Sequence, residues 1–278
     1  MRAMIPAIAA VLFAAPLAAK DSPDLEMWRL DCGKIDLSDA ASFSDAHLYD
    51  GEPRTLAVSC YLIRDGNKYL LWDTGLSSPL LGTSVSDGPF TVSLERTIID
   101  HLAQLEISPA DVTHVAASHY HLDHTGQLAD FPAANLLIGA ADWDVVNATA
   151  EPNQLVDPRP FALWLRAEPA AVTPIAHDHE VFGDGAVLIK AMPGYTPGHS
   201  SLLVRLPEKG DVLLTGDLYH FEEQVTHCGV PEFNTSRADT LASFERFNAM
   251  PKALDATVII QYDPRHLDRL PALPESAK

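Results

Sequence analysis

Ser118-His119-Tyr120-His121-Leu122-Asp123-His124-Thr125-Gly126 follows directly on an apolar run at 112–117 and places four potential metal ligands within six positions. A short apolar run that ends abruptly in polar residues reads as a buried strand with a site at its end. In extended or loop backbone, His119 and His121 point to one side, while Asp123 and His124 fall at a turn from which they reach a second ion. The end of a strand is a rigid base for such ligands. A lone His-x-His pair carries little information, because histidines at strand ends often act only as hydrogen-bonding caps. The complete His-x-His-x-Asp-His string reads as metal binding.

Two later elements end in the same kind of residue. Gly194-Tyr195-Thr196-Pro197-Gly198-His199-Ser200 presents His199 in a tight turn after a strand, and Leu214-Thr215-Gly216-Asp217 presents Asp217 at the end of another. Upstream, residues 26–30, 54–63 and 68–73 are rich in strand formers, with Asp65-Gly66 as a hairpin signal between the last two. Leu94, Ile98, Leu102 and Leu105 stand at helical spacing, which predicts a helix over 93–105. Strand signals return at 186–191, 201–206 and 211–214, followed by a helix at 240–250 and a strand at 257–260. Strands and helices thus occur in two similar successions, which predicts one α/β (α+β) domain with two sheets face to face and helices outside them.

Between the two successions, residues 140–180 mix helix and loop without clean periodicity and are expected to form a substrate-covering insertion. Trp143, Phe161, Trp164 and Leu165 lie there and could line an apolar groove, although such aromatics are more often plain core. His177-Asp178-His179 reads as a solvated strand end ahead of a hairpin at Asp184-Gly185.

At the front of the chain, Met1 and Arg2 precede an alanine-rich apolar stretch that ends at Ala18-Ala19, which reads as a signal peptide over 1–19 ahead of a domain over 20–278. The stretch is shorter than the roughly 20 residues of a membrane span, so stable membrane insertion is not expected. A periplasmic or secreted protein follows. The 278 residues carry 19 Lys and Arg against 38 Asp and Glu, a formal charge of −19. That charge repels a phosphate backbone, disfavours nucleic acid as a partner and suits a small neutral substrate. Export permits a disulfide; Cys32 and Cys60, on successive strands, form a pair that leaves Cys228 free, or all three stay thiols.

These motifs, with Leu71-Trp72-Asp73-Thr74-Gly75, resemble the metallo-β-lactamase superfamily over nearly the whole chain after the leader. The resemblance implies a four-layer αββα sandwich whose ligands converge from strand-end loops on one edge. By motif, it assigns His119, His121 and His199 to a first metal, Asp123 and His124 to a second, and Asp217 to a bridge between them. Asp73 either orients a histidine from behind or caps its own turn. The family's final histidine has no counterpart: Gln261-Tyr262-Asp263 puts Tyr262 in its place, and His266 reads as a surface histidine.

Within the superfamily the pattern is most similar to the N-acyl homoserine lactonase group. The resemblance implies opening of an acyl lactone or related ester by a metal-held hydroxide, with Asp123 moving the proton and Tyr219 donating a hydrogen bond to the oxyanion. One or two zinc ions are implied, and iron, manganese or cobalt suit the same donors. Two other readings stand beside it. One is a thioesterase of the glyoxalase II kind or a phosphodiesterase, marked by basic side chains near the metals. The other is a catalytically impaired ligand-binding protein.

Overall fold

The computed structural model describes residues 24–166 and 171–278, so the leader expected over 1–19 lies outside the described residues. One sheet holds β1 (Glu26–Leu37), β2 (Arg54–Asp65), β3 (Lys68–Trp72), β4 (Ser84–Asp87), β5 (Phe90–Ser93), β6 (His114–Ala117), β7 (Asn135–Gly139) and β8 (Val172–Ile175), in the order β4-β5-β1-β2-β3-β6-β7-β8. The other holds β9 (His179–Glu180), β10 (Val187–Ala191), β11 (Ser200–Leu206), β12 (Gly210–Leu214) and β13 (Thr257–Ile259), in the order β13-β12-β11-β10-β9. The helices are α1 (Ile98–Gln104), the single turn α2 (Leu122–Thr125), α3 (Ala140–Ala148), α4 (Glu222–His227) and α5 (Arg237–Leu254).

Alternation along the strands sorts the apolar side chains into layers. Tyr61, Ile63, Leu70 and Trp72 of the first sheet meet Val187, Ile189, Leu202, Val204, Val212 and Leu214 of the second in one buried cluster. Their neighbours Cys60, Leu62 and Leu71 face the other way, onto Ile98 and Leu102 of α1 and Val146 of α3. On the far side, Leu203 and Leu213 pack on Phe244 and Phe247 of α5. Three apolar clusters separated by two sheets are the αββα sandwich expected from the sequence.

Two expectations need correction in detail. The helix expected over 93–105 begins only at Ile98, because Thr97 and Asp100 form a capping box and Gln127 takes the Ile98 N–H at 2.8 Å. The residues before it, Phe90–Ser93, pair with β1 and β4 as a strand. Residues 140–180 are in part framework: α3 covers the first sheet and β8 adds a parallel edge strand beside β7. Phe161 and Trp164 are buried in the outer cluster, Trp164 Nε1 donating to the Ala134 carbonyl at 3.3 Å, so they fill core and line no groove.

Cys32, beside a bulge in β1, is bonded to Cys60 on β2, and Cys228 is free and exposed. The bridge closes a separation of 28 residues, worth about 3 to 4 kcal/mol through the unfolded chain. The last residues return to the first strand, Met27 and Ala277 exchanging both backbone hydrogen bonds at 2.9 Å. Among the described residues no helix is long and apolar enough to cross a membrane. Leu202, fully buried between the sheets, is a direct gauge of this packing. Leu202→Ala should lower stability by about 2 to 5 kcal/mol in urea unfolding, whereas Val85→Ala on the exposed β4 should stay within about 0.5 kcal/mol.

Candidate metal centre

β3 and β6 run parallel, as do β12 and β13, and β11 runs antiparallel to β12. The ends of β3, β6, β12 and β13 and the start of β11 therefore share one edge of the sandwich. Asp73 follows β3, and His119 and His121 follow β6. Asp123 and His124 ride on α2, His199 precedes β11, Asp217 sits in the 3-10 turn Gly216–Leu218 after β12, and Tyr262 follows β13.

Of the six expected ligands, His119, His121, His124, His199 and Asp217 are buried together, while Asp123 stands half-buried beside them, its Oδ2 4.0 Å from His124 Nε2. The rings of His119 and His121 are 4.5 Å apart, those of His119 and His124 4.1 Å, and those of His119 and His199 5.5 Å. One ligand atom from each of His119, His121 and Asp217 lies within 4.8 Å of the others. His119 Nε2 is buried without a hydrogen-bond partner, and Asp217 Oδ1 meets His124 Nε2 at 2.9 Å. An unmade hydrogen bond of the first kind costs about 1 to 3 kcal/mol and is rare, so an unpartnered imidazole lone pair beside a carboxylate fits a cation. His199 is nearby but engaged: Nδ1 lies 2.9 Å from the Met192 carbonyl, and Nε2 accepts the Asp217 N–H at 2.9 Å. A Cβ on Gly216, whose φ is +56°, would fall 2.7 Å from that Nε2, so only glycine lets this turn approach the ring.

Asp73 stands behind the group. Its Oδ1 accepts the Ser118 N–H at 2.7 Å, and its Oδ2 lies 2.9 Å from His124 Nδ1 and accepts from Gln261 Nε2 at 3.1 Å. It therefore orients a histidine rather than capping its own turn. Gln261, which sequence reasoning passed over, also accepts from Trp72 Nε1 at 2.9 Å and from the Gly216 N–H at 3.0 Å, tying the two sheets together at the site. Tyr262 Oη donates to Asp123 Oδ2 and lies 2.6 Å from His124 Nε2.

Burial drives His119 well below the ordinary imidazole range and takes His121 to about 3 and His199 to about 4. All three are neutral at pH 7, the form that binds metals. For His124 burial acts the same way but is outweighed by Asp217, Asp73 and Asp123, which raise it well above its usual value. Burial opposes ionisation of Asp217, yet the His124 ring beside it holds the carboxyl well below the usual range. Burial, then the Asp123 carboxylate, keeps the Tyr262 phenol protonated.

Tyr219 is not in this group. Its ring stacks on Phe244 at 4.5 Å and its hydroxyl bonds Asn248 of α5, so the expected oxyanion role is corrected by its place in the outer core. The next residue faces the site instead: His220 Nε2 is 3.2 Å from Asp217 Oδ2. Tyr195 is the other group missed, its ring edge-on to His119 and His121, each at 5.0 Å. In the 3-10 turn, residues three apart share a face, which puts His220 rather than Tyr219 on the side of Asp217. His266 is buried, not on the surface: Nδ1 accepts the Ile260 N–H at 2.8 Å and Nε2 meets Glu222 at 2.7 Å, away from the ligands. His177 is exposed and Asp178 pairs with Lys190 and Arg246, as a solvated strand end does.

The loop that carries His199 is pinned from outside. Asp142, in the first turn of α3, accepts from Thr196 Oγ1 at 2.7 Å and from the Gly198 N–H at 2.6 Å. A Cβ on Gly139 would stand 2.0 Å from the Gly198 carbonyl oxygen, so backbone meets backbone at this crossing.

Residues 53–254 match the family described as the Metallo-beta-lactamase superfamily. The chain is 32% identical over 183 residues to the N-acyl homoserine lactonase AttM of Rhizobium radiobacter, a match that covers 61% of this chain and 65% of that one. It is 28% identical over 198 residues to an N-acyl homoserine lactonase of Bacillus sp, covering 66% and 73%. The chain thus spans less than two thirds of the AttM relative's length. Among solved structures, a quorum-quenching N-acyl homoserine lactone hydrolase superposes with a TM-score of 0.75 at 22% identity, over 90% of this chain and 97% of that one. AidC, a dizinc quorum-quenching lactonase, superposes with a TM-score of 0.65 at 21% identity, over 87% and 88%. At these identities the structural likeness shows the fold.

Gln261→Leu, which strips Trp72 Nε1 and the Gly216 N–H of their acceptor, should destabilise the protein by about 2 to 4 kcal/mol in urea unfolding. Asp142 is raised by burial to about 7 from 3.8, despite the hydrogen bonds it accepts. The folded state thus keeps a proton that the unfolded chain releases. The stabilisation linked to that proton is complete below about pH 4 and is lost as the pH rises to about 7. Urea midpoints of wild type, compared with Asp142→Asn, should therefore fall between pH 4.5 and 7.5, and a flat difference would contradict this.

Proposed function

The chain belongs to the metallo-beta-lactamase superfamily, and on that basis we propose that it is a metal-dependent hydrolase that opens the lactone ring of N-acyl homoserine lactones. The observation that carries this reading is the convergence of His119, His121 and Asp217, with His119 Nε2 buried and unpartnered. The curated relatives named as N-acyl homoserine lactonases support the substrate class. The formal charge of −19 supports a neutral substrate over an anionic one.

His119, His121 and Asp217 would hold the ion, and His199 would join them by giving up the Asp217 N–H. Neutral imidazoles with a carboxylate suit zinc, and iron, manganese or cobalt by availability. When bound, such a cation polarises a carbonyl and lowers the pKa of water into the neutral range. Asp123 is the expected ligand most open to solvent, its side chain 21% exposed against 2% for Asp217. Its carboxylate is therefore placed to accept a proton and pass it to the departing ring oxygen. Tyr195 and His220 close the inner wall, keeping bulk water from the buried imidazoles. The leader at 1–19 and the Cys32–Cys60 bond support a periplasmic or secreted protein.

Purified full-length chain loaded with zinc should open N-hexanoyl homoserine lactone, read as the hydroxy acid by chromatography. Asp73→Asn should weaken zinc affinity about 10- to 100-fold in chelator competition while the fold persists. Failure of the loaded protein to open any acyl lactone, with a thioester or phosphodiester cleaved in its place, would sink the lactonase reading.

A further inference from the structure

We infer that Tyr262 closes the second ion position, so that each chain holds one divalent cation, at His119, His121 and Asp217. The inference rests on the proposed metal centre and adds its stoichiometry. By the family pattern a second ion falls to Asp123 and His124. Asp123 Oδ2 and His124 Nε2 are 4.0 Å apart. An ion bonded to both at about 2.0 to 2.2 Å sits close to the midpoint between them. That place is taken: Tyr262 Oη is within hydrogen-bond distance of both atoms, donating to Asp123 and 2.6 Å from His124 Nε2.

The phenol is held there from several sides. Tyr262 is buried, and its ring packs edge-on to His124 at 5.7 Å and against His220 at 5.4 Å. Its carbonyl accepts the Ala57 N–H at 2.8 Å. On one flank Gln261 is bonded to Trp72, Gly216 and Asp73; on the other Asp263 accepts the Glu222 N–H at 2.9 Å and is paired with Arg265. Swinging the ring aside breaks these neighbours' bonds. The first position is untouched by the phenol, since its contacts are to Asp123 and His124, while His119 Nε2 has no partner. A histidine in place of Tyr262 has a shorter reach, withdraws from the midpoint and offers a nitrogen lone pair.

Full-length wild type and Tyr262→His, each saturated with zinc, desalted and assayed for metal by plasma mass spectrometry, should hold one and two ions per chain. Two ions in wild type overturn the inference and leave the metal-centre reading standing. No ion in wild type overturns both. One ion in each protein also overturns the inference, because something other than the phenol then excludes the second. Should Tyr262→His not fold, cobalt-loaded wild type decides alone: an isolated high-spin signal in paramagnetic resonance is expected, and a spin-coupled pair overturns the inference.

Discussion

A single buried carboxylate, Asp73, sets the geometry on which the rest depends. An ionised group taken out of water must be met by donors, and removing one of its partners costs several kcal/mol. Asp73 finds its donors on three separate pieces of chain: the Ser118 backbone at the end of β6, the Gln261 amide after β13 and the His124 ring on α2. Satisfying one charge thus fixes the relative positions of three strand ends from both sheets. Gln261 extends the same requirement to Trp72 and Gly216, and so to the turn that carries Asp217.

Burial then sorts the histidines by their company. His119, His121 and His199 sit where desolvation dominates and are neutral, whereas His124, ringed by Asp217, Asp73 and Asp123, is driven the other way. One fold edge therefore offers lone pairs on one side and a donor on the other, within a few ångströms. The phenol of Tyr262 lies on the His124 side, where its hydroxyl donates to Asp123.

Most of this frame was legible because it is written locally. The His-x-His-x-Asp-His string, the Gly-His turn and the Gly-Asp turn each sit immediately after or before a strand, and strand direction alone carries them to one edge. What was not legible depends on partners far away in sequence. Gln261 has no motif; its role exists only because Trp72 lies 189 residues earlier at the right height. Tyr219 and His220 are neighbours, and which of them faces inward is decided by the 3-10 turn at Gly216–Leu218, a backbone detail below the resolution of spacing arguments. The hairpin of β4 and β5 turns at Asp87-Gly88, a turn signal that the sequence reading passed over.

The exchange of backbone hydrogen bonds between Met27 and Ala277 also bears on timing. A ribosome delivers the first strand long before the residues that complete its pairing, and Tyr262 and Gln261, which brace the site, come late as well. Until residues 261–277 emerge, the Met27 end of the first strand lacks one of its two neighbours and the cluster of histidines is unfinished. Contacts this distant make folding slow and late. The interval leaves a polypeptide that has to be kept from meeting its neighbours.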